Sequence, residues 1–169
     1  MKQLIIVRHA KSSWKDERAD DHDRTLSKRG ERDAPFMAGV LKQLKVEPDL
    51  MVSSTAKRAY ATASYFATVL GYKKHHIVQN NRLYLAAPDE LLEIINELPD
   101  EKNTVLIFGH NPGITTLVND LSGAGIQNVP TSGICAISID VDQWQDVRTG
   151  SGQLVFFKYP KLYFNDSDD

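Results

Sequence analysis

Two arginines and two histidines stand where short apolar runs of the sequence end. Arg8 and His9 follow the run "LIIV", and His110 follows the run "TVLIFG". Arg58 lies in "SSTAKRAYATA", just after a further apolar run. Guanidinium groups bind phosphate oxygens in pairs, and an imidazole acts as a nucleophile or an acid. This combination of side chains is therefore suited to the chemistry of a phosphoryl group.

The elements that must position these residues alternate between strand and helix. Apolar runs rich in valine and isoleucine predict strands over 4–7, 49–54, 104–109, 134–140 and 152–159. Apolar residues at helical spacing predict helices over 27–44, 56–70, 91–98 and 114–121. Gly30 and Pro35 lie within the first helix, so we expect a kink near Pro35 or a later start.

This order of elements predicts the fold class. Alternating strands and helices favour a single α/β domain, a three-layer sandwich whose mostly parallel central sheet has helices on both faces. One antiparallel strand is expected, because no helix separates the last two strands. We place the domain at 1–163 and assign 164–169, which is polar and acidic, to a frayed tail.

A mostly parallel sheet brings the predicted polar residues to one edge. Ligands bind such sheets outside the carboxyl ends of the strands. Ser54 and Asn111 are predicted N-caps, with Arg58 about one turn into its helix and Pro112 at the first helical position. Helix N-termini add N–H groups with partial positive charge, so the edge is predicted to bind a phosphate-sized anion. Taken singly, each arginine or histidine also fits a structural role.

Bulk composition excludes several classes of protein. The formal net charge of −2 argues against a general nucleic-acid binder, which normally carries a basic excess. The single cysteine, Cys135, excludes an internal disulfide, and its apolar run suits a reduced thiol in a cytoplasmic protein. The N-terminal apolar run is too short for a signal peptide or a membrane span.

Three motifs in order resemble those of the histidine phosphatase superfamily: "VRHAKSSW", "SSTAKRAYATA" and "FGHNPG". Together with "DRTLSKRG" they are most similar to the SixA-type phosphohistidine phosphatase branch, and the resemblance extends to about residue 133. It implies that His9 is the nucleophile and is transiently phosphorylated. Arg8, Arg58 and a protonated His110 would then surround the phosphoryl group, and water would release inorganic phosphate. No metal or other cofactor is implied, because the arginines supply the positive charge.

One departure from the superfamily pattern bears on the substrate. Many members that cleave phosphate esters carry a carboxylic acid after the second helix, and "NNRLYLAAPDELLEII" has no unambiguous match. Asp89 fits a first-turn helix residue better, and Asp21 or Asp23 remains an alternative proton donor. An imidazole leaving group needs an acid less than an alkoxide does. The predicted substrate is therefore phosphohistidine on a signalling or phosphotransfer protein; a small phosphate ester and a phosphocarrier without turnover are the alternatives.

A second set of residues is predicted to contact the substrate more weakly: Ser12, Arg24 and Asn111. Ser12 equally suits capping a turn, and Arg24 equally suits pairing with Asp20 or Asp23. The acidic run "DDHD" is interpreted as a solvated loop rather than a cation site. The rim of the pocket is predicted to include Lys11 and Trp14.

Overall fold

A six-stranded sheet flanked by four helices forms the core of the protein. The computed structural model describes residues 1–165. In chain order the elements are β1 (Lys2–Arg8), α1 (Lys28–Gln43), β2 (Leu50–Ser53), α2 (Lys57–Leu70), β3 (Val78–Gln79), α3 (Pro88–Asn96), β4 (Thr104–Gly109), α4 (Gly113–Ser122), β5 (Ile134–Ile139) and β6 (Gly152–Lys158). Within residues 1–165, no helix has the length and apolar character needed to cross a membrane.

The strands lie in the order β3-β2-β4-β1-β5-β6. The pairs among β1 to β4 are parallel, whereas β5 runs antiparallel to both of its neighbours. This confirms the mostly parallel sheet with one antiparallel strand. In the register of the parallel strands, Arg8 pairs with Gly109 and Ser53 with Phe108. The carboxyl ends of β1, β2 and β4 are therefore level with one another.

Alternate residues of β1 face the two helical layers. Leu4 and Ile6 pack with residues of α3 and α4, while Ile5 and Val7 pack with residues of α1 and α2. Burial of each large apolar side chain stabilises the folded state by roughly 1.5–3 kcal/mol relative to leaving it exposed. A sheet covered on both faces explains why its strands are continuous apolar runs, and it confirms the three-layer sandwich. Cys135 is buried as a free thiol, as predicted.

The first helix does not start late. It begins at Lys28, because the Ser27 hydroxyl accepts a hydrogen bond from the Gly30 N–H and caps it, and Pro35 lies in its interior. Gly30 is required by close packing rather than by backbone flexibility. A Cβ atom at this position would lie 2.2 Å from the Lys11 carbonyl oxygen, so only glycine lets α1 approach the loop after β1.

The two predicted N-caps are wrong, by two residues for Ser54 and by one residue for Asn111. Helix α2 is preceded by Ala56 and α4 by Pro112, so Arg58 lies in the first turn rather than one turn in. Ser54 instead accepts a hydrogen bond from the Ala56 N–H within the turn before the helix. The Asn111–Pro112 peptide is cis, and the Asn111 amide donates to the Val129 carbonyl. Both side chains thus fix the loops between strand and helix.

The predicted tail begins at 164, and its first residue contacts the domain. The Phe164 ring lies 4.6 Å from that of Phe36, centroid to centroid, and the Arg32 guanidinium stacks on it at 4.1 Å. The remaining part of the tail, 166–169, lies outside the described residues.

Candidate active site

A cavity of about 360 Å³ opens at the carboxyl ends of β1, β2 and β4, and we call it the strand-end cavity. It is lined by Arg8, His9, Lys11, Ser12, Trp14, Asp21, Arg24, Arg58, Leu85, His110, Asn111 and Thr131. The structure thus brings together the four residues predicted to act on a phosphoryl group, the three weaker substrate contacts and the two predicted rim residues. Their roles in the reaction remain predictions at this point.

Main-chain and hydroxyl hydrogen bonds hold the loop after β1 against α2. The His9 N–H donates to the Gly109 carbonyl at 3.2 Å, which ties β1 to β4 beyond the last paired residues. The Thr62 hydroxyl accepts from the Ala10 N–H at 2.9 Å and donates to the Arg58 carbonyl at 2.7 Å. Thr62 was not singled out from the sequence, although it lies one helical turn after Arg58 on the same face.

The imidazole of His9 is held in one tautomer by the main chain. Its Nδ1 lies 2.8 Å from the Ala10 carbonyl oxygen, which only accepts hydrogen bonds, so Nδ1 carries the proton and Nε2 carries a lone pair. Burial, opposed by this hydrogen bond and reinforced by His110 and Arg58, lowers the pKa of His9 to about 3. His9 is therefore a neutral imidazole at pH 7, as a nucleophile must be.

His110 faces His9 across the cavity, with ring centroids 5.2 Å apart. Its Nε2 lies 2.8 Å from the Ser54 hydroxyl, and its Nδ1 lies 3.4 Å from Nη2 of Arg58. Burial first and the Arg58 guanidinium second lower the pKa of His110 to about 3. Burial and the neighbouring arginines thus disfavour the charged form of His110, and the protonated His110 that the resemblance implies beside a phosphoryl group stays a prediction.

Arg8 and Arg58 each have a buried Nε–H without a hydrogen-bond partner in the described part of the chain. Arg8 donates through Nη1 to the Val129 carbonyl at 3.1 Å, which fixes the side chain at the strand end. Among residues 1–165, the buried Nε atoms of Arg8 and Arg58 have no hydrogen-bond partner. Burial and the charge of Arg58 lower the pKa of Arg8, and an arginine still remains protonated. Two adjacent cations with unused buried donors form an anion site.

Among residues 1–165, Asp21 is the one carboxylate that lines the strand-end cavity. A hydrogen bond from Tyr84, followed by those from Arg58 and Arg24, lowers the pKa of Asp21 to about 2. An ionised carboxylate cannot protonate a leaving group, so Asp21 does not suit the proton-donor role considered for it. Arg24 pairs with Asp21 at 3.1 Å, not with Asp20 or Asp23, and also donates to the Ser12 hydroxyl at 2.6 Å.

The other two candidate proton donors lie outside the cavity. Asp23 is exposed and lines a separate groove of about 710 Å³, which shares Lys11 and Arg24 with the strand-end cavity but contains neither His9 nor His110. Asp89 is exposed in the first turn of α3, beside Pro88, as its helix-dipole interpretation predicts. No cluster of potential metal ligands occurs in the part of the chain that the structure describes.

Two large apolar residues stand exposed among the lining residues, and we call them the rim. Trp14 is 71% exposed and stacks on the Arg24 guanidinium at 3.6 Å. Leu85 is 56% exposed and adopts a left-handed backbone conformation with φ of 49°. The neighbouring Tyr84 packs edge-on against His110. Sequence reasoning missed Leu85 and Tyr84, since nothing in "NNRLYLAAPDELLEII" indicates a positive φ or a contact with β4.

Comparison with known proteins agrees with this architecture. Residues 4–83 match the histidine phosphatase superfamily (branch 1). An uncharacterized protein of Mycobacterium leprae is 33% identical over 167 residues, which covers 92% of this chain and 100% of the relative. SixA from Agrobacterium tumefaciens superposes with a TM-score of 0.79 at 25% identity, covering 94% of this chain and 98% of that one. The protein histidine phosphatase SixA complexed with tungstate superposes with a TM-score of 0.75 at 24% identity, covering 95% and 98%. With its three motifs assembled around one cavity, the chain belongs to the histidine phosphatase superfamily and is a phosphatase.

Proposed function

We propose that the protein hydrolyses phosphohistidine carried on another protein, through a transient phospho-His9. The observation that carries the proposal is the Nε2 lone pair of His9, which the Ala10 carbonyl fixes beside two arginines with unused donors. The likeness to SixA from Agrobacterium tumefaciens supports this substrate class.

In the first step the Nε2 lone pair of His9 attacks phosphorus in line with the substrate P–N bond. That bond breaks, and its electron pair leaves with the substrate ring, which departs as a neutral imidazole because its other nitrogen already carries a proton. The Arg8 and Arg58 guanidinium groups stabilise the charge on the equatorial oxygens. The Nδ1–H of phospho-His9 still donates to the Ala10 carbonyl, which stabilises the cationic ring.

In the second step water attacks phosphorus and the bond to Nε2 of His9 breaks. The electron pair returns to Nε2, the water loses a proton, and inorganic phosphate leaves. We assign His110 to accept the proton that the water loses, because its ring lies 5.2 Å from that of His9 across the cavity. An anionic phosphoryl group beside its imidazole raises the pKa of His110, opposing the effect of the arginines. The Ser54 hydroxyl can accept from or donate to Nε2 of His110, so either protonation pattern keeps a partner.

The carboxylates around the strand-end cavity favour a P–N bond over a P–O bond. A general acid contributes roughly 10²–10⁴ in rate when the leaving group needs a proton. Asp21, the carboxylate that lines the cavity, is held ionised by three donors. An alkoxide would therefore leave without a suited carboxylic acid, whereas an imidazole titrates near neutral pH and does not depend on one.

The rim favours a substrate carried on a protein. Exposed tryptophan is a side chain that protein interfaces use as an anchor. The backbone strain at Leu85 costs roughly 1–2 kcal/mol, and such strain is retained mainly at functional positions. The connection from α2 to α3 adds only β3 and two short 3-10 turns, and the rim stays open to a folded partner.

The test is phosphate release from a phosphohistidine-bearing protein domain in the presence of EDTA, with a phosphoserine ester alongside. Wild type is compared with His9→Ala and with His75→Ala, a matched control because His75 is exposed and lies outside the cavity. We expect fast release by wild type and His75→Ala, slow turnover of the ester, and no release by His9→Ala.

Three outcomes would redirect or overturn the proposal. Turnover of the ester at a rate equal to that of the phosphohistidine domain would make the protein a broad phosphomonoesterase. A stable phospho-His9 with no phosphate release would instead make it a phosphocarrier. Full activity of folded His9→Ala would remove His9 from the role of nucleophile.

A further inference from the structure

Asp21 touches the helix that carries Arg58 from a separate segment, the 3-10 turn Asp21–Asp23. Arg58 donates through Nη1 to the Asp21 carbonyl oxygen at 2.6 Å and through Nη2 to its carboxylate at 2.9 Å. The side chain of Arg58 is only 3% exposed, and that of Asp21 is 42% exposed. A solvent-facing carboxylate therefore holds the outer end of a buried guanidinium.

The same carboxylate accepts from two further donors, Arg24 at the end of the same turn and Tyr84 in the segment before α3. Arg24 donates through Nε at 3.2 Å, and the Tyr84 hydroxyl donates to Oδ2. Arg24 in turn donates to Ser12 and stacks on Trp14. One side chain thus connects α2, the loop after β1 and the segment before α3.

The hydrogen bonds to Asp21 use some of the N–H donors of Arg58 and leave others available to a ligand. A guanidinium has five N–H donors. Asp21 engages the Nη1 and Nη2 side, whereas the buried Nε–H has no partner among residues 1–165. The contacts made by Asp21 therefore fix the orientation of Arg58 without consuming its Nε–H.

The charge of Asp21 matters as well as its geometry. Within the described part of the chain, the guanidinium groups of Arg8, Arg24 and Arg58 line the strand-end cavity together with one carboxylate, that of Asp21. Removing the carboxylate leaves like charges facing one another without compensation, and the flexible arginine side chains move apart in response. The orientation in which Arg58 presents its Nε–H to an oxyanion is then lost.

We propose that Asp21 is a positioning residue for oxyanion binding, which orients Arg58 and Arg24 by accepting from both. It acts through the arginines and not on the reacting atoms. The inference concerns any phosphate-like oxyanion in the cavity and is independent of whether the physiological substrate is phosphohistidine.

The experiment measures tungstate binding by calorimetry and the turnover of phosphoimidazole, a minimal P–N substrate. The variants are Asp21→Asn, Tyr84→Phe, which removes one donor to Asp21, and Asp23→Asn as the matched control. Asp23 lies in the same turn, but it does not line the strand-end cavity, and it pairs with His22 rather than with Arg58.

We expect Asp21→Asn to weaken tungstate binding and to lower kcat/KM by roughly 10- to 100-fold, the range seen when a residue that orients a ligand is removed. Tyr84→Phe should show a smaller loss of the same kind, and Asp23→Asn should stay within twofold of wild type.

Thermal unfolding of each variant separates positioning from folding. A loss of tungstate affinity in Asp21→Asn at an unchanged Tm supports positioning, and Tyr84→Phe provides the same test if Asp21→Asn unfolds. Equal or tighter tungstate binding by the folded Asp21→Asn variant would overturn the proposal, because the carboxylate would then compete with the oxyanion. An equal loss in Asp23→Asn would overturn it too. Since tungstate binding involves no substrate protein, this test is separate from the test of the proposed function.

Discussion

The strand-end cavity has an inner wall, formed by Arg8, His9, Arg58 and His110, and an outer border, formed by Asp21, Trp14 and Leu85. These two parts are held in place by different interactions. His9 and His110 lie at strand ends, are less than a tenth exposed, and are fixed by hydrogen bonds to a main-chain carbonyl and a buried hydroxyl. Asp21, Trp14 and Leu85 lie in loops, are largely exposed, and are held by ionic and stacking contacts with arginines or by a strained backbone. The difference indicates that the ends of the strands fix the inner-wall side chains, whereas surface loops form the part of the cavity that a substrate meets first.

The largest expected effect tests the inner wall. Arg58→Ala should lose about 2.7–4 kcal/mol of transition-state stabilisation, because a charged donor to the phosphoryl oxygens is removed, on the scale of losing one oxyanion-hole donor. The measurement is kcat on phosphoimidazole, with the exposed Arg82, which binds three glutamates of the α3 region, changed to alanine as a control. Activity of Arg58→Ala within a few fold of wild type would place Arg58 outside the reacting site.

A second effect follows from the neutral histidines of the inner wall. The pKa values of His9 and His110 are about 3 in the folded protein and near 6.5 in the unfolded chain, so the unfolded chain binds more protons between these values. The free energy of unfolding should therefore fall as pH drops from 6.5 towards 3, by up to about 2 kcal/mol per histidine at pH 5. Urea unfolding from pH 7.5 to pH 5 measures this slope.

The control for that slope is His9→Asn, which removes one of the two buried imidazoles. Its unfolding free energy should change less steeply with pH than that of wild type. Parallel curves for the two proteins would show that His9 is not a buried neutral group in solution.

A smaller effect tests the border of the cavity. Trp14→Ala should lower kcat/KM for a phosphohistidine-bearing protein by roughly tenfold, about 1.4 kcal/mol, because a contact with the partner surface is lost. Turnover of phosphoimidazole should change little, because this small substrate does not reach beyond the cavity. Phe36→Ala serves as a control, since Phe36 is a partly exposed aromatic residue that does not line the cavity. Equal losses on both substrates would mean that Trp14 acts on Arg24 rather than on a partner.

The inner wall could be predicted from the sequence, and the border largely could not. Arg8, His9 and His110 directly follow apolar runs, and parallel strands end at one edge of a sheet, so their convergence needs only the fold class. The contact between Asp21 and Arg58 joins residues 37 apart in the chain, and no local pattern encodes it. The positive φ of Leu85 is unexpected for a leucine. The lowered pKa of His110 depends on burial and on the nearness of Arg58, which spacing does not reveal.

The hydrogen bond that fixes His9 has a consequence for how the protein tolerates mutation. Its acceptor is the carbonyl of Ala10, a main-chain atom that every amino acid at position 10 would supply. A larger side chain there would need space that this fully buried position lacks, and proline would also remove the N–H that donates to Thr62. The tautomer of His9 thus depends on the backbone conformation at position 10 and not on a particular side chain there. A substitution that keeps this backbone conformation also keeps the lone pair on Nε2.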